Sequence, residues 1–497
     1  MEKSLWQKDN TLKDFKPLDG NIETDILIIG AGMTGVTTAY NLIDSKLKIT
    51  LIDRNKCFNE VTAKSTGKVT YLQDLRYQDI MNVYDFETAK LYYESQKDAI
   101  RIIKKNVKDN EMECSLEKVE SVTFTLSDKE IPKFEAEEKF FDALGVKYYR
   151  TSASVKDERI KRLIMVKNTY VFNPVRYLKG LMKEIKKNDN ISVYEQSVAT
   201  KIKKEDGYYV ALVNDYEVKA KKIVIACNYP FFTLPGLTPL KTYLEKSYIC
   251  ASRVEDVRNV SAITSNYPTI SFRYYEEKEN KYFIYLNNSS KISDKLNYKN
   301  NYDKCVSAIK QVTGKAPTFK WTNMDVMTHD SLPLVGKISD DEPNVYLATG
   351  YNTWGMTGST IAAKIVCDLI KNKSNKYAEV FSPSRKTNVK KLKNFVVDTM
   401  FSNTKAYTLN LIKKNPSWYK NRAAVTKING KRVGVYFDKD GNKHVVSNIC
   451  PHLKCFLTFN MVDKTWDCPC HGSRFDIDGN AIKGPSAYDI KIDETTS

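Results

Sequence analysis

Four side chains near the end of the chain have the types and spacing to hold metal. Cys450 and His452 are separated by one residue and Cys468 and His471 by two, within the stretch CPHLKCFLTFNMVDKTWDCPCHGSRF that begins at Cys450. Two thiolates and two imidazoles suit a tetrahedral zinc site. They equally suit a [2Fe–2S] cluster with sulfur ligands on one iron and nitrogen ligands on the other. The tight spacings put one Cys and one His on each of two loops, and the residues between let the chain turn back. Cys455 and Cys470 lie in the same loops; a zinc site has no use for them, but they could bridge the loops. Gly472 and Ser473 directly follow His471, and a Ser hydroxyl there can donate a hydrogen bond to a cluster sulfur. Histidine is scarce, with 4 in 497 residues, and two of the four are in this stretch.

With C-x-H-L-x-C in the first loop and C-P-C-H-G-S in the second, this region resembles the Rieske signature. The resemblance implies a [2Fe–2S] cluster held by Cys450, His452, Cys468 and His471, and a disulfide between Cys455 and Cys470; zinc stays the alternative. It also implies that His452 and His471 are the exposed ligands from which an electron leaves. Phe475 stands where high-potential respiratory members have a Tyr. One donor to the cluster is therefore missing, and a midpoint below theirs is expected within the range of roughly −150 to +300 mV.

A second constellation opens the chain. Asp25 to Ile29 is an apolar strand running into Gly30, Ala31, Gly32, Met33, Thr34 and Gly35; a helical pattern follows, then a second apolar strand ending at Asp53. This is a dinucleotide fingerprint: Gly30 for the tight turn, Gly32 for close approach of a pyrophosphate, Gly35 for helix packing, and Asp53, with Arg54 beside it, for the ribose. The helix N-terminus offers amides and its dipole to phosphate. The next loop, Val61 to Thr70, is rich in hydroxyls and includes Ser65, Thr66 and Lys68, which can wrap the pyrophosphate and a flavin edge. Val198 falls where an adenine could meet backbone groups. Ala226 and Cys227 end a buried strand, at the carboxyl ends of the parallel strands where such crevices form. Near residue 350 a strand ends at Gly350 and Tyr351, and a helix begins around Gly355, Met356 and Thr357, its positive end available to a reduced flavin. No second fingerprint is present for a separate nicotinamide site.

The N-terminal fingerprint, Asp53, the IVIACNYP strand and the ATGYNTWGMT loop together resemble the D-amino acid oxidase-like flavoproteins, the glycine and sarcosine oxidase group. The whole chain resembles a bacterial group of these that carries a C-terminal Rieske domain. The resemblance implies an α/β, Rossmann-like FAD-binding domain with an antiparallel β substrate domain, followed by a small all-β domain. The expected boundaries are 1–372 for the flavoprotein part, with FAD-binding pieces near 23–75, 165–240 and 326–372 and substrate pieces near 112–160 and 241–325. A helical linker over 373–421, amphipathic around Leu392 to Leu411, and the Rieske domain over 422–497 complete the plan. Residues 73–110 read as helical, 129–144 as a helix, and 241–325 as a set of strands. A Lys-Gly-Pro turn at 483–485 marks a loop that would cover the cluster.

The implied activity is oxidation of a C–N bond in an amine or amino acid, with electrons passing singly through the cluster to an external acceptor protein. Arg273 could hold a substrate carboxylate, with Tyr275 or Tyr351 as donors. The rivals are a flavin and Rieske reductase driven by NAD(P)H, and a non-enzymatic carrier or redox sensor. A Rieske oxygenase needs a mononuclear iron with two more His, and His329 is the only one outside the C-terminal domain. The net charge of +18 is spread along the chain without a basic stripe, which argues against nucleic acid. No signal peptide or transmembrane run is seen, and the six scattered cysteines Cys57, Cys114, Cys227, Cys250, Cys305 and Cys367 fit a cytoplasmic location.

Overall fold

A computed structural model describes residues 3–9, 15–151, 155, 157–231, 241–292, 298–386 and 422–492. Its first layer is an eight-stranded sheet built around Ile22–Ile29. That strand pairs in parallel with Ile49–Ile52 on one side and Tyr216–Ile225 on the other, in the register Ile29 with Ile52 and with Ile225. Ile191–Tyr194 and Val345–Thr349 extend the parallel set, and Leu334–Lys337 closes one edge antiparallel. All four residues of Ile49–Ile52 are buried, as expected for a strand with both faces covered. Helices Met33–Asn41, Pro174–Ile185 and Gly355–Ile370 do the covering, the first packing on both others. Asn173 caps the second by accepting from the amides of Val175 and Arg176 (3.1 and 3.2 Å).

The second layer is another eight-stranded sheet, in the order Phe319–Thr328, Thr242–Arg253, Asn280–Lys291, Ile270–Glu277, Val260–Thr264, Glu117–Thr125, Arg162–Val171 and Lys68–Val69. It is antiparallel apart from Val260–Thr264, which runs parallel to Glu117–Thr125. Two features differ from the sequence reading. The 73–110 segment is two helices, Arg76–Val83 and Phe86–Asp109, because Asp85 stops one and caps the next by accepting the Thr88 amide (2.8 Å). Within 241–325 lies a helix, Tyr298–Thr313, which buries Tyr302, Cys305 and Ile309 against the sheet. Their spacing is helical and was the available signal.

The C-terminal region is all β. Arg422–Ile428, Lys431–Phe437 and Lys443–Ser447 form one sheet; Thr458–Asn460, Thr465–Asp467, Arg474–Phe475 and Ala481–Lys483 form another. Between described neighbours, Ala378–Phe381 is a short helix, and Arg385 is anchored by a buried pair with Asp330 (2.6 Å). The rest of the expected linker, 387–421, with Leu392 to Leu411, lies outside the described residues.

Candidate cofactor cavity and metal centre

The two metal-ligand loops are built alike. In the first, the Lys454 amide donates to the Cys450 carbonyl (3.0 Å); in the second, the Gly472 amide donates to the Cys468 carbonyl (3.0 Å). Lys454 (φ 60°) and Gly472 (φ 74°) both take left-handed backbone at that point. At Gly472 only glycine fits, since a Cβ would collide with Met324 Sδ and lie 2.9 Å from Leu244. Cys450 and Cys468 are buried, and their thiols touch. Contact with Cys468, the amides of His452 and Leu453 and the Ser473 hydroxyl bring the Cys450 thiol down to about 7 against the opposing effect of burial. The same contact pushes the Cys468 thiol up, so one thiol of the touching pair gives up its proton more readily than the other.

The imidazoles of His452 and His471 lie 5.1 Å apart at 87°. Burial lowers them to about 4 and about 3, so both rings are neutral and able to ligate. Each has a buried Nδ1 without a hydrogen-bond partner. Two orphaned imidazole nitrogens and two touching thiols, supplied by the same two loops, are the donor types of a [2Fe–2S] centre. Cys455 and Cys470 are joined by a disulfide. Their sulfurs lie within 4.8 Å of the Cys468 sulfur, but as a cystine they offer no thiolate.

The large cavity lies where the parallel strands end. It encloses about 1320 Å³ of empty space, part of it open solvent. Gly30, Gly32, Met33 and Thr34 line it at the start of the first helix, and Gly355 and Met356 at the start of the late helix. Neither helix has a side-chain cap, so two positive helix ends open on one space. Thr34 Oγ1 donates to Ser359 Oγ (3.0 Å) and lies 2.8 Å from the Tyr351 hydroxyl, tying those ends together. Gly35 lies behind the wall, where any Cβ would run into the Gly30 carbonyl. Asp53 accepts from the amides of Ala31 and Asn55 (2.8 Å each), and burial pushes its carboxyl up to about 6. Arg54, Val198, Ala226, Cys227 and Tyr351 also line the cavity. An anionic dinucleotide fits these groups, with phosphates at the helix ends and a ribose at Asp53.

The chain from residue 25 to 369 matches the family model for FAD dependent oxidoreductases, the DAO family. It belongs to that family. Residues 411–492 match the Rieske [2Fe-2S] domain, so this is an FAD-dependent oxidoreductase that carries a Rieske cluster. The Bacillus subtilis protein YhfW, named as a Rieske 2Fe-2S iron-sulfur protein, is 30% identical over 98% of this chain and 97% of its own length. Gamma-glutamylputrescine oxidoreductase of Escherichia coli is 19% identical over 74% of this chain and 88% of its own. Glycine oxidase from Geobacillus kaustophilus shares the fold with a TM-score of 0.60 at 12% identity, over 73% of this chain and 99% of its own.

Other expected site residues sit elsewhere. Lys68 is buried and donates to the Ala262 carbonyl (2.7 Å) and Ser271 Oγ (2.6 Å), away from the cavity wall. Ser65 accepts the Gly67 amide (3.1 Å), and Thr66 does not line the cavity. Thr357 accepts from Gln73, and Gly350 (φ 76°) turns the chain beneath Thr328. Arg273 and Tyr275 lie outside the cavity wall too. Arg273 is buried against Trp6 and donates to the carbonyls of Gly67 and Phe172 (2.8 and 3.1 Å), leaving Nη2 buried without a partner. Tyr275 accepts from Asn173 (3.2 Å).

The structure corrects two expectations about the Rieske domain. His471 is not an exposed exit: it is 9% exposed and lies 5.2 Å from the Tyr229 ring, while His452, 6.2 Å from that ring, is half-buried. The loop at 483–485, expected over the cluster, lines the large cavity with Lys483, Gly484 and Pro485. Sequence reasoning also missed Tyr229, Asp325 and Thr62, all on the cavity wall; Thr62 Oγ1 accepts the Met33 amide (3.0 Å). Tyr229 follows the IVIACN strand directly, and that adjacency was its signal. No helix among the described residues is long and apolar enough to cross a membrane.

Proposed function

We propose that this enzyme oxidises a C–N bond of an amine or amino acid at FAD and sends the electrons, one at a time, through the cluster to an external acceptor protein in the cytoplasm. Bound FAD would supply two-electron chemistry, and the [2Fe–2S] cluster one-electron transfer. The observation that carries the reading is Tyr229: one ring both walls the cavity and lies against the two imidazoles. Cys450, His452, Cys468 and His471 are the proposed cluster ligands. Gly32 and Thr34 would present amides to the pyrophosphate and Asp53 would accept from the ribose, while the start of the late helix would favour negative charge on the ring. The amine and amino acid class follows the activities for which gamma-glutamylputrescine oxidoreductase and glycine oxidase are named. The cytoplasmic placement follows the six cysteines outside the cluster loops, none of which forms a disulfide among the described residues.

Anaerobic titration of purified protein with a panel of amines and amino acids, followed by visible and EPR spectroscopy, tests this. Flavin bleaching followed by a Rieske-type EPR signal is the expected result. Bleaching by NADH alone would replace the proposal with a reductase.

A further inference from the structure

The Rieske domain supplies part of the cavity wall. Lys483, Gly484, Pro485 and Ala487 line it opposite Arg54 and Glu60 of the flavin domain. The same short segment is held from both sides. Toward the cluster, the Ser486 amide donates to Ser473 Oγ (2.9 Å), and that hydroxyl contacts the Cys450 thiol. Toward the flavin domain, the Ser486 carbonyl accepts from Arg54 Nη2 (2.9 Å), and a Cβ on Gly484 would lie 2.7 Å from Arg54 Nη1. The segment is therefore common to both redox sites.

Lys483 stands out within it. Among the described residues its ammonium has no hydrogen-bond or ion-pair partner, although it lies on the cavity wall. Lys64, Arg474 and Lys246 add positive charge around it, with Glu60 and Asp325 as the acidic neighbours. Burial and those cations bring it down to about 7, so an arriving anion would restore its full charge. A cation with no described partner, on the wall of a cavity that also receives an uncapped helix N-terminus, is an arrangement completed by an anionic group.

We propose that Lys483 of the Rieske domain binds the pyrophosphate of FAD, so that the flavin-nucleotide site is shared between the two domains. This rests on the reading of the cavity as the FAD site. The test uses full-length wild-type, Lys483→Met and Lys483→Arg proteins, stripped of flavin with concentrated bromide. FAD rebinding is followed by fluorescence quenching at low and high salt, with cluster EPR and iron content recorded for each protein. Lys483→Met is expected to bind FAD roughly 10- to 100-fold more weakly, with a flatter salt dependence and an unchanged cluster. Lys483→Arg should stay within a few-fold of wild type. Undiminished affinity in Lys483→Met with an intact cluster overturns the proposal. So does a lowered flavin midpoint at constant affinity, which would place the ammonium at the ring. Should Lys483→Met lose its cluster, Lys483→Gln is judged by the same criteria. Wild-type protein that fails to bind FAD would instead sink the cavity reading.

Discussion

All four proposed cluster ligands lie between Cys450 and His471, on two loops closed by the same backbone bond. The flavin cavity is assembled differently: its wall runs from Ile29 to Ala487 and draws on both large sheets, two helix ends and the C-terminal domain. A local site depends on its own turns and survives changes far away. A distributed site depends on the packing between elements, so residues remote from any motif can control it.

The sharpest way to break this contrast is to remove one cluster ligand. His471→Ala or Cys468→Ser should abolish the Rieske EPR signal while flavin absorbance persists; loss of both cofactors would show that the two sites are not separable. Gly35→Val carries the next largest effect. Its side chain would be driven into the Gly30 carbonyl, costing at least about 1–3 kcal/mol in thermal unfolding, with FAD lost and the cluster kept. Tyr229→Ala probes the junction: reduction of flavin by substrate should keep its rate, while transfer on to the cluster slows by up to about a hundredfold in stopped-flow. Tyr229→Phe should behave as wild type.

Two smaller effects sharpen the comparison. Asp325 lines the cavity, and burial, with Glu245, pushes its carboxyl from 3.8 to about 7, while Lys483 pulls it down. The folded state thus holds this proton more tightly than the unfolded one. Its contribution is fully present below pH 3.8 and is lost as pH rises through about 7. Asp325→Asn should remove that decline from melting curves of the flavin-free protein, and a decline of equal size in the variant would assign it elsewhere. Phe475 is buried in the same apolar cluster as the four loop cysteines. Phe475→Tyr should raise the cluster midpoint by roughly 40 mV if the new hydroxyl donates a bond worth about 1 kcal/mol, read by EPR-monitored titration.

The same contrast decides what could be read before the fold was seen. The cluster loops were legible because spacing alone puts Cys and His together, and the fingerprint because Gly30, Gly32, Gly35 and Asp53 serve one strand–helix–strand unit. Lys483 and Asp325 were not legible, since their shared wall exists only once two domains dock. The direction of Lys68, which turns to Ala262 and Ser271, was not legible, because composition shows that a loop is rich in polar groups but not which way its lysine turns. The helix Tyr298–Thr313 was overlooked among alternating strands although Tyr302, Cys305 and Ile309 repeat at helical spacing.

The buried seam between the domains has a kinetic corollary. Lys246 reaches Asp463 and Asp467 across it (3.5 and 3.9 Å), and Tyr229, Leu244 and Met324 meet the second ligand loop. A redox protein seeking the imidazole edge would have to displace a surface tethered on the same polypeptide, and so present at high effective concentration. Such a competitor would gain access at a rate set by opening of the seam, and raising its own concentration would cease to speed turnover once that opening became limiting.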